Sequence, residues 1–169
     1  EGVAPNAAHR FLADLERAGK LKAVVTQNID GLHQAAGSKR VLELHGNWTR
    51  LECTGCGARS TIDDFDEARA GRVPHCPSCS AVVRPDIVFY GEALDPATLE
   101  GAVLAIAGAD MLIVGGTSLA VYPAAGLIDY YQGGRLVLMN ATPTPYDGRA
   151  DLIIREPIGR VFAQIQGHV

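Results

Sequence analysis

The chain has 169 residues, of which 47% are hydrophobic and 20% are charged, and its formal net charge is −4 at pH 7. This composition is ordinary for a globular protein and permits a sizeable core. The charge balance gives no reason to expect nucleic acid or an anionic membrane as a partner. Apolar runs such as Met111–Val114 are too short to span a bilayer.

The first part of the chain predicts a helix followed by two short strands. Residues 6–18 carry apolar side chains at the spacing of an amphipathic helix, with Asn6 as its N-cap and Gly19 as its C-terminal stop. The apolar runs Leu21–Thr26 and Val41–Leu44 predict strands, and the segment between them predicts a polar loop and a short helix.

Strands and helices alternate again after residue 86. Asp95–Ala107 predicts a helix, because Asp95 suits an N-cap and Pro96 suits the first helical position. Short apolar strands that alternate with helices predict an α/β fold in which a mostly parallel sheet is covered on both faces. The other elements predicted here are strands at 87–90, 111–114, 136–140 and 152–154 and helices at 122–131 and 159–166.

Residues 48–86 differ in character, because Cys, Gly, Pro and Ser replace the long apolar runs. Cys53-x2-Cys56 and Cys76-x2-Cys79 are separated by 19 residues, a spacing typical of zinc sites. Two thiolates on each tight turn converge on one ion, and two turns complete a tetrahedron around Zn²⁺ that leaves no position for water. We therefore expect a small insert stabilised by a structural zinc, in a reduced, cytoplasmic setting. Two disulfides, or unrelated free thiols, are the alternatives.

Polar residues follow two of the later strands. Gly116, Thr117 and Ser118 come after the strand at 111–114, where glycine lets the backbone approach a phosphate and the hydroxyls and amides can donate to it. Asn140 ends the strand LVLMN at the corresponding edge of the sheet. A plain tight turn explains each feature about as well when it is taken alone.

The segment TQNID places Gln27, Asn28 and Asp30 directly after the first predicted strand. Three polar side chains at this point would face the ligand-binding edge of a parallel sheet. The alternative is an Asx-type turn that caps the next helix. Spacing alone favours neither.

Six motifs occur in order along the chain: TQNIDGLHQAAGS, ELHGN, the two Cys-x2-Cys pairs, RPDIVFYGE, GTSLAVYPAA and LVLMN. Together they resemble the sirtuins, the NAD-dependent protein lysine deacylases, from the first helix to the last strand. The resemblance implies a Rossmann-like domain built from residues 1–47 and 87–169 and a small zinc-binding domain at 48–86. It also implies that NAD and an acyl-lysine protein or peptide bind in a cleft between these domains.

The same resemblance implies roles for individual residues. His45 in ELHGN resembles the family's catalytic base, and an imidazole that titrates near neutral pH suits that task. The residues that resemble NAD contacts are Gln27, Asn28 and Asp30 (nicotinamide ribose and carboxamide), Gly116, Thr117 and Ser118 (phosphate and ribose), and Asn140 and Ile158 (adenosine). Those that resemble the two edges beside the substrate peptide are the strand Val88, Phe89, Tyr90, Gly91 and Glu92 and the loop residues Leu119, Val121 and Tyr122.

The chemistry that the resemblance implies is a transfer of the acyl group to ADP-ribose. The acyl carbonyl oxygen attacks C1′ of the nicotinamide ribose and nicotinamide departs. A base then activates a ribose hydroxyl to attack the resulting imidate. The products are nicotinamide, the deacylated lysine and 2′-O-acyl-ADP-ribose, and zinc takes no part. A mono-ADP-ribosyltransferase would share the fold without needing the His45 base. A zinc-ribbon adaptor would explain the cysteines but not the other motifs.

One part of the family pattern is missing from the chain. Sirtuins carry an early Gly-Ala-Gly-Ile-Ser-like loop and a Pro-Asp-Phe-Arg-like loop that hold NAD, and neither occurs here. We therefore expect a fragment whose Rossmann-like sheet is incomplete, with its first strand and NAD loop absent. Such a chain alone is expected to bind NAD weakly and to show little activity.

Overall fold

The computed structural model describes residues 3–165, with only the backbone described at Arg69. Gln166, the predicted last residue of the terminal helix, lies outside these residues, as do Glu1 and Gly2. Within the described range, no helix is long and apolar enough to cross a membrane.

The α-helices are α1 (Ala7–Arg17), α2 (Leu32–Ala35), α3 (Asp66–Arg69), α4 (Pro96–Ala107) and α5 (Ile158–Ile165), and short 3-10 helices lie at Ile62–Asp64, Ala124–Tyr130 and Asp147–Arg149. The strands are β1 (Val24–Thr26), β2 (Val41–Glu43), β3 (Gly46–Cys53), β4 (Arg59–Thr61), β5 (Val83–Ile87), β6 (Leu112–Gly115), β7 (Leu136–Met139) and β8 (Leu152–Ile154).

Helix α1 begins where the sequence predicts it. The Asn6 side chain accepts hydrogen bonds from the N–H groups of Ala8 (2.9 Å) and His9 (3.2 Å), which satisfies two donors that lack partners within the helix. On the buried face, the ring of Phe11 lies 5.0 Å from the ring of Phe162 in α5. These rings and their apolar neighbours form a core of the first of two compact units in the chain.

The first unit contains the described parts of Glu1–Val25 and Asp95–Val169 together with Leu32–Leu42. In it, β6, β7 and β8 form a parallel sheet in sequence order. All four residues of β7 are buried, as expected for a central strand. The predicted α/β fold with parallel strands is confirmed, and β1 and β2 pair with each other in a separate two-stranded sheet.

The helix predicted at 122–131 is shorter and of a different type. It is a 3-10 helix over Ala124–Tyr130, and the N–H of Gly126 bonds to the carbonyl of Pro123 at 3.0 Å. Gly126 lies inside this segment, and a glycine within a helix favours the unfolded chain. A regular α-helix is therefore disfavoured at this point.

The second unit contains Thr26–Gly31 and Glu43–Leu94. Its sheet is antiparallel, in the order β4-β3-β5, whereas the sequence predicted no strand between residues 48 and 86. Three residues of this sheet form a small buried cluster with a cysteine outside it: Leu51, Cys53 and Val83 with Cys76. Two of the four cysteines therefore belong to the apolar core of the unit.

The sequence predicted a strand at 87–90 and treated Val88–Glu92 as a strand, and both predictions are wrong. The strand in the structure is β5, which ends at Ile87. Pairing with β3 ends there because Ile87 lies opposite Gly46, the first residue of β3. The chain then turns, and the N–H of Glu92 bonds to the carbonyl of Phe89 at 3.0 Å.

Candidate functional site

His45 lies in the turn that joins β2 to β3, and its ring is held by the main chain of the TQNID segment. The Nδ1 atom is 3.0 Å from the carbonyl oxygen of Gln27. A carbonyl oxygen only accepts hydrogen bonds, so Nδ1 carries the proton in this contact. The Nε2 atom is then the nitrogen with a free lone pair, as a base requires.

The backbone of the His45 turn depends on the glycine that follows. Gly46 has φ of +79°, a left-handed conformation that glycine adopts without steric cost. A Cβ at this position would also overlap the carbonyl oxygen of Asp86. The carbonyl of His45 accepts the N–H of Val88 at 3.0 Å, so the turn is fixed against the segment that follows β5.

The loop Gln27–Gly31 is held by the same turn and by the start of β3. The N–H of Trp48 donates to the carbonyl of Ile29 at 3.1 Å, and the N–H of Asn28 donates to Thr26 Oγ1 at 3.1 Å. The structure therefore brings His45 and Gln27 into contact. The Asn28 and Asp30 residues are exposed on the loop.

A cluster of polar side chains flanks His45, and the sequence analysis did not identify it. Asn47 is buried, and its amide and the Arg50 guanidinium both donate to Glu43. Burial alone would lower the pKa of Arg50, but hydrogen bonds to Glu43 and Asp86 together raise it above its ordinary value. The available signal was ELHGN itself, in which Glu43 and Asn47 lie two residues on either side of His45.

The four cysteines predicted to bind zinc converge on one point. Their sulfur atoms all lie within 4.8 Å of one another, and none is in a disulfide. The Sγ–Sγ distance is 3.4 Å for Cys53 and Cys79 and 3.7 Å for Cys56 and Cys76. Tetrahedral zinc with Zn–S bonds of ~2.3 Å places its sulfurs ~3.8 Å apart. The donor set and its spacing therefore fit a Zn²⁺ ion.

The backbone of the first cysteine pair is shaped to favour a thiolate. The N–H groups of Cys56 (3.5 Å) and Gly55 (3.4 Å) point at Cys53 Sγ, and these contacts lower the pKa of the Cys53 thiol to about 6. A Cβ on Gly55 would lie 2.7 Å from the Cβ of Ala81 and 3.3 Å from Cys79 Sγ. Only glycine fits this position without displacing the second pair.

The predicted substrate segment 88–92 is a loop closed by an ion pair. Arg84 donates to both oxygens of Glu92, at 2.8 and 2.9 Å, and its guanidinium lies 4.7 Å from the ring centre of Phe89. The hydrogen bonds from Arg84, followed by the N–H of Phe89, lower the pKa of Glu92 to about 2. Phe89 and Tyr90 are both exposed, and Gly91 has φ of +86°. The ion pair therefore fixes a loop that presents two aromatic rings to solvent.

In the first unit, the residues predicted to bind the nucleotide follow neighbouring parallel strands. Gly116, with φ of +65°, comes directly after β6, and its N–H donates to the carbonyl of Met139 at 3.0 Å. Asn140 comes directly after β7, and its side chain donates to the carbonyl of Thr142 at 2.9 Å. Because β6 and β7 are parallel and adjacent, both residues lie at the carboxyl edge of the sheet.

Two further side chains, those of Ile158 and Arg155, contact the residues at this edge of the sheet. Ile158, at the start of α5, packs on Gly115 so closely that a Cβ on Gly115 would overlap its Cδ1 atom. Arg155, which follows β8 and was not predicted, donates to the carbonyls of Asn140 and Thr142 at 3.0 Å each and pairs with Asp147. Arg155 therefore fixes the loop that carries Asn140.

The loop after Gly116 contains one strained residue. Leu119 has φ of +53° although its side chain is 5% exposed, and its N–H donates to Thr117 Oγ1 at 3.2 Å. Such a backbone conformation is unfavourable for a residue with a Cβ. Ser118, Val121 and Tyr122 are exposed.

Comparison with known proteins identifies the family. A family model described as the Sir2 family matches residues 1–123. The chain belongs to the Sir2 family. An NAD-dependent protein deacetylase of Clostridium acetobutylicum is 52% identical over 161 residues, which are 95% of this chain and 65% of that protein. A structure described as Sir2 with a p53 peptide and NAD⁺ has a TM-score of 0.90 and 41% identity, over 98% of this chain and 70% of that one. A structure of Sir2 bound to an acetylated peptide has a TM-score of 0.91 and 40% identity, over 99% and 71%.

Membership of the Sir2 family confirms the resemblance and the fold class predicted from the six motifs. This Sir2 chain spans 65% of the length of the clostridial relative. The four cysteines predicted to bind a metal are clustered closely enough to hold one ion. The roles of the individual Sir2 cofactor, substrate and catalytic residues stay predictions.

Proposed function

We propose that the protein is an NAD-dependent protein lysine deacylase that forms nicotinamide, the deacylated lysine and 2′-O-acyl-ADP-ribose. The observation that carries the proposal is the hydrogen bond between His45 Nδ1 and the Gln27 carbonyl in a chain of the Sir2 family. This contact leaves Nε2 to take a proton from a substrate hydroxyl. The clostridial relative is named as an NAD-dependent protein deacetylase, which supports the same reaction.

The residues proposed to hold NAD lie on three loops and one helix. Gly116, Thr117 and Ser118, with Asn140 and Ile158, would hold the phosphates and the adenosine, and the open space around Gly116 supports this, since a Cβ there would meet nothing within 4 Å. Gln27, Asn28 and Asp30 would hold the nicotinamide ribose and carboxamide. When bound, NAD supplies an electrophilic ribose carbon and the nicotinamide leaving group.

The substrate is proposed to be an acyl-lysine in an extended protein or peptide segment. The residues proposed to contact that segment are Val88, Phe89, Tyr90, Gly91 and Glu92 of the second unit and Leu119, Val121 and Tyr122 of the first unit. Two exposed rings on a loop fixed by an ion pair are suited to contact a peptide. Main-chain pairing at such a loop would tolerate many sequences around the lysine.

Zinc is proposed to be structural. Four cysteines complete a tetrahedral set, so none of the positions around the ion would be open to water. We also propose that residues 48–86 form the zinc-binding domain and that 1–47 and 87–169 form the nucleotide-binding domain. The free thiols support a reducing, cytoplasmic setting.

The test uses the protein expressed from its complete coding sequence, with NAD and an acetyl-lysine peptide. We expect NAD-dependent loss of acetyl from the peptide and release of an equal amount of nicotinamide. Release of nicotinamide with the acetyl group still on the peptide would contradict the proposal and favour ADP-ribosyl transfer. A protein that releases no nicotinamide and does not bind NAD in calorimetry would also contradict it and favour a zinc-ribbon adaptor.

A further inference from the structure

Glu43, at the end of β2, is a carboxylate almost wholly enclosed by protein, since its side chain is 7% exposed. Its Oε1 atom accepts a hydrogen bond from Asn47 Nδ2 at 2.7 Å, and its Oε2 atom accepts one from Arg50 Nη1 at 2.6 Å. Enclosing a carboxylate is unfavourable unless its oxygens have donors. Glu43 therefore holds Asn47 and Arg50 at defined positions.

Asn47 uses both ends of its buried amide. While Nδ2 donates to Glu43, Oδ1 accepts from the N–H of Thr49 at 2.9 Å and from its hydroxyl at 2.7 Å. The carboxylate only accepts, so the amide has one possible orientation. A Cβ on Gly31 would lie 3.3 Å from Asn47 Nδ2, so the amide also packs against the end of the loop Gln27–Gly31.

Arg50 links the same cluster to β5, since its Nε atom donates to Asp86 Oδ2 at 3.1 Å. This link coincides with a bulge in β3. Asn47 pairs with Asp86 and Leu51 with Pro85, so residues 48–50 have no counterpart in β5. Extra residues of this kind re-aim side chains next to functional sites. In this protein they bring Arg50 to Glu43 and the N–H of Trp48 to the Gln27–Gly31 loop.

His45 lies between Glu43 and Asn47 in the sequence, so the hydrogen bond from Asn47 to Glu43 joins the residues on either side of it. We propose that Glu43 is a positioning residue for the transfer reaction. With Asn47 and Arg50, it fixes the His45 turn against the Gln27–Gly31 loop, so that Nδ1 keeps its contact with the Gln27 carbonyl and Nε2 remains the basic nitrogen. The inference rests on the proposed function, because it takes His45 as the base.

The variant Glu43→Gln tests this role. The amide keeps the volume of the side chain but offers one oxygen to two donors, so the contact with Asn47 or Arg50 is lost. We expect kcat to fall on the order of tenfold to a hundredfold while KM for the peptide changes by less than about twofold, because a reacting group is misplaced and no binding contact is removed. The control is Asp14→Asn, which makes the same chemical change in the exposed ion pair with Arg17 and should leave kcat unchanged.

A second readout does not depend on activity. The ¹⁵N NMR shifts of the His45 ring, assigned by comparison with His45→Ala among the five histidines, should place the proton on Nδ1 in the native protein. In Glu43→Gln, the proton should move partly to Nε2, the tautomer preferred by free histidine. Thr49→Val removes one donor to Asn47 without leaving a buried charge. It should produce a smaller shift in the same direction, and it replaces Glu43→Gln if that variant loses its zinc.

The outcomes separate this inference from the proposed function. An unchanged tautomer and unchanged kcat in a folded Glu43→Gln variant would overturn the positioning role in an active deacylase. A fall in kcat together with a lower melting temperature and an unchanged tautomer would also overturn it, since that combination indicates a purely structural role. A shifted tautomer in a protein that never deacylates a peptide would uphold the coupling of Glu43 to His45 and overturn the proposed function instead.

Discussion

The carbonyl oxygen of Gln27 lies 3.0 Å from Nδ1 of His45. The proposed base and the first residue of the proposed nicotinamide-binding loop therefore share one hydrogen bond. This bond sets which ring nitrogen carries the proton, because a carbonyl oxygen only accepts. Any change that moves the loop Gln27–Gly31 should therefore also change which ring nitrogen of His45 carries the proton.

Replacing His45 by alanine should abolish most deacylation and leave the fold intact. We expect the rate to fall by about 10²- to 10⁴-fold, the usual contribution of a general base. Zinc content and the thermal melting temperature should be retained, because His45 is outside the cysteine cluster. The control is His75→Ala, which removes an imidazole beside Cys76 and should leave the rate unchanged. Loss of zinc from His45→Ala would show that His45 is a ligand.

Replacing Cys76 by serine should release the metal and destabilise the second unit. One thiolate of four is lost from a buried position in the core of that unit. We expect metal analysis to show loss of zinc, and the melting temperature to fall on the order of 10 °C. Ser78→Ala, in the same turn but exposed, is the control and should retain the metal. Full zinc content in Cys76→Ser would contradict a site of four cysteines.

The carboxyl group of Glu92 should titrate at unusually low pH. Its pKa is lowered from an ordinary 4.5 to about 2 by Arg84 and the Phe89 N–H. A depressed folded-state pKa means that the contact contributes its full stabilisation above pH 4.5 and loses it as the pH falls toward about 2. The ¹³C shift of the Glu92 carboxyl group, followed by NMR, should have its midpoint near that lower value. In Arg84→Gln the midpoint should rise, and a native midpoint at 4.5 would show that the ion pair does not form.

At Leu119, glycine should be a more stable replacement than alanine, which is the reverse of the order expected at an ordinary buried leucine. Both Leu119→Ala and Leu119→Gly lose the buried side chain, but only glycine relieves the strain of a φ of +53°. We expect the glycine variant to be more stable than the alanine variant by roughly 1 kcal/mol in denaturant unfolding. At Leu127, which is equally buried but lies in the 3-10 helix Ala124–Tyr130, alanine should be the more stable by about 1 kcal/mol. The same order at both positions would contradict strain at Leu119.

Features that depend on neighbouring residues were predictable from the sequence. Asn6 and Asp95 both accept hydrogen bonds from the first turn of the helices they were predicted to cap. The cysteines were predictable for the same reason, since each pair is set by a spacing of three residues and the two pairs have one common ligand chemistry.

Features that depend on distant pairing were not predictable. The apolar run at 87–90 has the composition of a strand, but pairing with β3 has ended by Ile87. The cluster around Glu43 requires the bulge in β3 and a contact between Arg50 and Asp86, which are 36 residues apart. No local pattern specifies such a contact, although the positions of Glu43 and Asn47 around His45 indicated where to look.

The most direct test of the proposed reaction is to identify, by mass spectrometry, the molecule that receives the acyl group. The complete protein is incubated with NAD and an acetyl-lysine peptide, and all products are quantified. The proposed function predicts acetyl-ADP-ribose, nicotinamide and deacetylated peptide in equal amounts. Free acetate formed without release of nicotinamide, or ADP-ribose attached to a peptide that keeps its acetyl group, would contradict it.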